Sequence, residues 1–161
     1  MLPVNIRIAG ISLLLWGTMA FAQTTVGSIT AVKGTATINR GDTTSPAQVN
    51  QKLFVGDILR TGPSSQLIFQ LEDGSVHTLT SNSALVITEF VYDPANPSRN
   101  MLTLTLLEGG LNSVSGAIGA ADPSQFNIVT PFGVVNASSA NVTLMVDNSA
   151  GGDGLVVQNN S

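Results

Sequence analysis

The sequence lacks cysteine altogether and is poor in charge and in histidine. Without cysteine it has no disulfides, no thiolate metal ligands and no acylated residue of a lipoprotein. Charged residues make up 10% of the chain, against about 25% in ordinary soluble domains. The formal charge is −4, and without clustered Lys and Arg nucleic acid is not expected as a partner. Since 43% of the residues are hydrophobic, we expect a folded domain stabilised by its own packing.

The first 22 residues have the features of a secretory signal peptide. Arg7 supplies a positive charge, residues 8–20 are mostly apolar, and Ala22 completes an A-x-A cleavage site. The apolar run is shorter than the roughly 20 residues of a membrane-spanning helix. We therefore predict a signal-peptide helix at 1–22 that is cleaved, and one domain at 23–161. The prediction places the mature chain in the periplasm or outside the cell, with no retained transmembrane helix.

Apolar and polar residues alternate along many short segments, as in strands with one buried face. The predicted strands are 32–39, 66–71, 76–80, 85–91, 102–106, 126–128, 142–146 and 155–157. Turn residues separate them, and only residues 116–121 favour a brief helical turn. The spacing predicts an all-β fold of short, mostly antiparallel strands, as a β-roll, a solenoid-like stack or a β-sandwich.

Two turn signals have specific geometry. Asp73-Gly74 lies between two alternating segments and predicts a tight hairpin turn of the primed type. Gly109-Gly110 follows the 102–106 segment and predicts a break after that strand.

A set of turn and strand residues resembles the FecR domain, a module of the bacterial cell envelope. The elements are a Gly-Asp-x-Leu-x-Thr-Gly segment, an Asp-Gly-Ser hairpin and an Asn-Ser turn. They fall here on Gly56, Asp57, Leu59, Thr61, Gly62, Asp73, Gly74, Ser75, Asn82 and Ser83. Most of these residues make turns, so the resemblance assigns them a structural role rather than a catalytic one.

The resemblance departs from the family in two places. The turn after Thr130-Pro131-Phe132-Gly133 lacks the Gly-Thr pair that family members often have. In regulatory members an anti-sigma segment and a membrane helix precede the FecR domain, whereas a signal peptide is predicted there in this sequence. The resemblance therefore implies a stand-alone exported module and does not transfer the regulator role.

Few residues offer chemistry. His77 is the single histidine, and we interpret it as an ordinary strand residue, since no G-x-S-x-G motif accompanies it. Glu72 and Asp73 are interpreted as solvated charges, because adjacent strand residues point to opposite faces. The segment 147–153 is interpreted as a plain turn, since it lacks the glutamate that closes a calcium loop.

The aromatic residues of the mature chain lie mostly at strand positions. Core packing is therefore the expected role of Phe69, Phe90, Tyr92, Phe126 and Phe132. No cofactor or metal is predicted.

Three functions remain open. The first is a non-enzymatic module that binds an envelope protein or polymer through a sheet face or an open strand edge. The second is a subunit that assembles with copies of itself into a filament or matrix. The third is an envelope hydrolase that uses His77.

Overall fold

The computed structural model describes residues 24–137, 141–147 and 154–160, so the predicted signal peptide and residues 148–153 of the predicted turn lie outside the described residues. The strands are β1 Gly27–Lys33, β2 Ala36–Arg40, β3 Thr43–Pro46, β4 Lys52–Leu53, β5 Ile58–Thr61, β6 Gln66–Leu71, β7 Val76–Leu79, β8 Ala84–Val91, β9 Met101–Val114, β10 Phe126–Thr130, β11 Gly133–Asn136, β12 Asn141–Asp147 and β13 Gly154–Asn160. One α-helix, α1, spans Ala117–Ala121, and short 3-10 turns lie at Pro97–Arg99 and Pro123–Gln125. No helix of the described part has the length and apolar character to span a membrane.

The strands form one sheet that curls into two layers. One layer has the order β4-β1-β6-β7-β9-β12-β13, and the other has the order β3-β2-β5-β8-β9-β10-β11. Strand β9 belongs to both layers, with its first half in the second layer and its second half in the first. Every pair is antiparallel except β9 with β10. The all-β, mostly antiparallel prediction is confirmed.

Successive strands cross between the layers along one line, which we call the crease and define as residues 34–35, 62–65, 80–83 and 109–110. The predicted single strand at 32–39 is wrong, since Gly34 has φ +74° and divides it into β1 and β2. The predicted break at Gly109-Gly110 is also wrong. Strand β9 continues through it and bends at Gly109, whose φ is +79°. At both bends the buried positions change phase, from 27 and 29 to 36 and 38 and from 102, 104 and 106 to 111 and 113, because the chain passes from one layer to the other.

The core fills the space between the layers. Both layers contribute fully buried apolar side chains, so neither could bury its inner face alone. The first layer contributes Ile29, Leu67, Phe69, Leu79, Leu111 and Leu144, and the second contributes Ile38, Leu59, Leu85, Ile87, Leu104, Phe126 and Ile128.

The end of the sheet opposite the crease is closed by connections that cross from layer to layer. Helix α1, near the predicted position, carries the chain from β9 to β10, which explains why these two strands are parallel. Its Ile118 is fully buried against the core. The segment 54–57 makes a second crossing between β4 and β5.

The Asp73-Gly74 hairpin has a different turn from the predicted one. Gly74 has φ +83°, but Asp73 is not at positive φ, which a type I′ turn requires. Gly74 N–H bonds the Leu71 carbonyl at 3.0 Å, and Leu71 N–H bonds the Ser75 carbonyl at 3.0 Å. This is the three-residue hairpin in which a turn is followed by glycine in the left-handed conformation.

Candidate functional site

The crease is held by short polar side chains. The Thr61 hydroxyl donates to the Thr80 carbonyl and accepts from the Ser83 N–H at 3.0 Å. The Ser83 hydroxyl in turn accepts from the Gly110 N–H at 2.9 Å. Asn82 takes φ +52°, a conformation that Asn tolerates better than most residues. These bonds satisfy backbone groups where the sheet bends and the strand ladders are interrupted.

Family-motif residues supply much of this crease. Thr61, Asn82 and Ser83 act as just described, and Gly62 donates its N–H to the Thr35 carbonyl at 2.9 Å. A Cβ on Gly62 would lie 2.7 Å from the Thr35 hydroxyl, so only glycine fits without a shift. Leu59 is fully buried in the core.

The Gly56-Asp57 pair fixes the 54–57 crossing. Gly56 has φ +90°. The buried Asp57 carboxylate accepts two hydrogen bonds from Arg40, each at 2.7 Å, and a third from the Phe54 N–H at 2.9 Å. These side-chain bonds raise the pKa of Arg40, whose guanidinium also lies 4.3 Å from the centroid of the Phe54 ring.

His77 belongs to a buried series of hydrogen-bonded side chains. Its Nδ1 lies 2.7 Å from the Ser113 hydroxyl, and its Nε2 lies 2.9 Å from the Ser75 hydroxyl. Ser75 also bonds the Asp73 carboxylate at 2.6 Å, and this carboxylate contacts the Ile118 N–H of α1 at 3.4 Å. The Asp73-Gly74-Ser75 hairpin therefore anchors the α1 crossing, and the prediction that Asp73 is solvated is wrong, since its exposure is 5%.

The hydrogen-bond donors among Asp73, Ser75, His77 and Ser113 can be assigned by starting from the Asp73 carboxylate, which can only accept. Because Ser75 gives its hydroxyl proton to Asp73, its oxygen accepts from Nε2–H of His77, and Nδ1 accepts the proton of Ser113. Burial lowers the pKa of His77 to about 3, so the ring is neutral at physiological pH. In a Ser-His-Asp triad the carboxylate bonds the imidazole, whereas here it bonds a serine.

The described residues shield the hydrogen-bonded group around His77 from solvent. His77 and Ser75 are 0% exposed and Ser113 is 1% exposed. The rings of Phe69 and Phe126 cover the imidazole at centroid distances of 4.9 and 5.9 Å. The arrangement supports packing and offers no reactive group to solvent.

The two lateral edges of the curled sheet differ. The edge formed by β3 and β4 is short, and Pro46 in β3 lacks an N–H to offer a partner. The opposite edge, which we call the C-terminal edge, consists of β11 and β13, and no described strand pairs with their outer sides. Neither strand contains a charged residue.

Apolar side chains are exposed on the C-terminal edge. Phe132 precedes β11 and is 44% exposed, and Val134 is 61% exposed. Val156 and Val157 of β13 are 54% and 42% exposed. The prediction that Phe132 packs in the core is therefore wrong, because the 130–133 turn places it outside.

A pocket of about 430 Å³ lies at the end opposite the crease, which we call the aromatic pocket. Its walls come from the N-terminal segment, the 54–57 crossing, the β6–β7 hairpin and the end of β8; they are Thr24, Thr25, Val26, Phe54, Val55, Glu72, Phe90 and Tyr92. Phe69 and Phe126 are fully buried as predicted, but Phe90 and Tyr92 remain partly exposed. The sequence analysis did not predict the pocket. The pattern that could have indicated it is the pair Phe90 and Tyr92, which are separated by one residue at the end of a strand.

Metal chemistry finds no support in the described part of the chain, where no three His, Asp or Glu side chains converge to hold an ion. The segment 147–153, considered above for calcium, falls mostly outside the described residues.

The fold and its sites define a class: an all-β module whose distinctive residues shape a folded sheet and whose accessible features are an open edge and a small pocket. The family model described as "FecR protein" matches residues 57–160, more than half of the chain. The chain belongs to the FecR family. Searches of curated proteins and of solved structures gave no significant match. The family match begins after β4, although β1 and β2 pair directly with β6 and β5 and complete the same sheet.

Proposed function

We propose that this chain is an exported, non-enzymatic binding module of the bacterial envelope that captures a partner protein by strand addition at the C-terminal edge. Membership of the FecR family supports an envelope-related, regulatory type of module. The observation that carries the mode of binding is the C-terminal edge itself, where each of the two layers ends in an uncharged strand, β11 in one and β13 in the other.

Strand addition suits this edge for a physical reason. The outer side of an edge strand presents unpaired N–H and C=O groups, and a partner strand satisfies them. Proteins usually protect such edges with charges, proline or short strands. The β3–β4 edge has these protections, whereas the seven-residue β13 has none of them.

The exposed side chains define the partner's chemistry. Val134 and Val156 lie on the outer faces of their layers, and Val156 lies directly opposite Met145, which is 56% exposed. Cross-strand pairs of β-branched and apolar residues stabilise added strands. The proposed partner segment is therefore an extended, uncharged strand that is rich in β-branched residues.

The difference between the β3–β4 edge and the C-terminal edge argues against an open-ended filament of this protein. A head-to-tail stack needs two receptive edges, and β3 and β4 form a poor one because of Pro46 and the two-residue length of β4. One-sided binding is what the two edges favour. An envelope hydrolase is disfavoured, because the single histidine is buried away from solvent.

The experiment combines size measurement with capture from an envelope extract. Light scattering over a concentration series should give a constant monomer mass, and the bait should retain a protein from the extract. The double variant Val134→Lys/Val156→Lys should lose that protein, because Lys blocks strand addition at edges.

The matched control is Val114→Lys. Val114 is 41% exposed but lies in β9, which has paired strands on both sides. This variant should retain the partner. Equal capture by the double variant and the wild type, or a mass that climbs with concentration, would contradict the proposal.

A further inference from the structure

The aromatic pocket has a composition that selects one ligand chemistry. Three of its walls are the rings of Phe54, Phe90 and Tyr92, and the centroids of Phe90 and Tyr92 lie 6.4 Å apart at an interplanar angle of 48°. Its volume of about 430 Å³ is in the range of small-molecule sites, which is about 300–1,000 Å³. Three aromatic rings therefore border one space.

The described side chains that line the pocket carry a single charge, which is negative. Glu72 is the only ionisable carboxyl or amine side chain among the lining residues, and it makes no ion pair or side-chain hydrogen bond with another described residue. The Tyr92 hydroxyl likewise has no hydrogen-bond partner among the described residues. The faces of aromatic rings are themselves electronegative, so the carboxylate and the rings attract the same sign of charge.

One ring of this group already holds a cation. The Arg40 guanidinium lies 4.3 Å from the Phe54 centroid, and its charge is matched by the two bonds to Asp57. That contact shows the ring in a cation–π interaction, whereas Glu72 has no ion-pair partner among the described residues.

We propose that the aromatic pocket binds a small quaternary ammonium compound. Such a cation spreads its charge over methyl groups, which suit apolar ring faces and lose little hydration, and this is the established use of aromatic cages. A sugar is disfavoured, because the lining contains no Asn, Gln, Arg or Asp side chain to bond several hydroxyl groups. The proposal is independent of the C-terminal edge, whose residues do not line the pocket.

The test titrates the purified protein with three probes, followed by NMR or calorimetry. The probes are choline, its uncharged isostere 3,3-dimethyl-1-butanol, and N-acetylglucosamine. We expect choline to bind in the millimolar range and the isostere to bind at least about fivefold more weakly, since the cation–π and carboxylate contributions are lost. Equal binding of choline and the isostere, binding of the sugar alone, or no binding of choline would each overturn the proposal.

Variants locate the site. Glu72→Gln should weaken choline binding by at least about fivefold, and Tyr92→Leu should also weaken it, with unchanged melting temperatures as evidence of an intact fold. Glu108→Gln is the matched control, because Glu108 is an exposed carboxylate, ion-paired with Arg60, that lies opposite Ala84 at the other end of β8. An equal loss in Glu108→Gln and Glu72→Gln would overturn the assignment. The Val134→Lys/Val156→Lys variant should bind choline normally, which separates this result from the proposed function.

Discussion

The crease and the C-terminal edge use opposite chemistry. The crease is built from Thr, Ser, Asn and Gly, whose polar groups are bonded to one another and to bent backbone. The edge is built from exposed valines on two strands whose outer sides pair with no described strand. Several FecR motif residues lie in the crease and none in β11 or β13. The comparison teaches that the recognisable residues specify the fold, whereas the proposed binding surface is made of residues that carry no motif.

The largest effect should come from filling the crease. A side chain on Gly109 meets both a positive φ of +79° and a Cβ contact of 2.6 Å with the Asn82 carbonyl oxygen. Gly109→Val should lower the free energy of unfolding by at least about 3 kcal/mol, as measured by urea denaturation.

Gly41→Val is the control for that prediction. Gly41 has φ +56°, but nothing lies within 4 Å of its Cβ position. Gly41→Val should lower the free energy of unfolding by only about 1–2 kcal/mol, which is the strain of a valine in the left-handed conformation. If both variants lose the same amount, close packing at the crease is not what holds the two layers.

The second effect is a pH dependence from the buried His77. The unfolded residue takes up a proton near pH 6.5, whereas the folded one stays neutral down to about pH 3. Between these values the unfolded state binds more protons, so stability is full above pH 6.5 and falls as the pH is lowered. The loss should be about 2 kcal/mol at pH 5 relative to pH 7.

Chemical denaturation at several pH values measures this loss. His77 is the single histidine, and the side-chain hydrogen bonds that lower the pKa values of Asp93 and Asp122 affect stability only below about pH 4. His77→Gln should be less stable at pH 7 but almost flat from pH 7 to 5. A flat wild-type profile would show that His77 is not held neutral.

The third effect concerns the hairpin that anchors α1. Gly74→Val should cost about 1–2 kcal/mol, because a β-branched residue resists the φ of +83°. Gly74→Asn should cost less, since Asn tolerates this conformation. Thermal unfolding of the two variants checks the order, and an unchanged melting temperature for Gly74→Val would contradict the turn described here.

The smallest effect on stability should come from the edge. Val134→Lys and Val156→Lys should each change the free energy of unfolding by less than about 0.5 kcal/mol, as expected for exposed positions. Urea denaturation measures it. A large loss of stability in either variant would show that its valine holds the fold together, as the crease residues do. The contrast between crease and edge would then fail.

The sequence predicted the layers' buried faces better than their arrangement. The period of two along Leu102, Leu104 and Leu106 depends only on local backbone geometry, and these residues are all fully buried. In the sequence the alternation of apolar and polar residues also runs through Gly34, although the buried positions change phase there, so the sequence pattern could not reveal that the chain changes layer. A crease is set by contacts between distant segments, such as Gly110 with Ser83.

The candidate sites were less accessible to prediction. His77 was predicted to be an ordinary strand residue, and its burial depends on Phe126, far along the chain. Strand order decides which strands lie at the edges of the sheet, and no local sequence pattern predicts strand order. The exposure of Val156 and the grouping of Phe54 with Tyr92 are consequences of that order.

The most direct test of one-sided strand addition is amide hydrogen exchange on the complex with the captured partner, compared with the free protein. Amides that join a new ladder gain protection. The account predicts slower exchange in β11 and β13 and unchanged exchange in β3 and β4. Protection gained in β3 or β4, or in no edge strand, would contradict it.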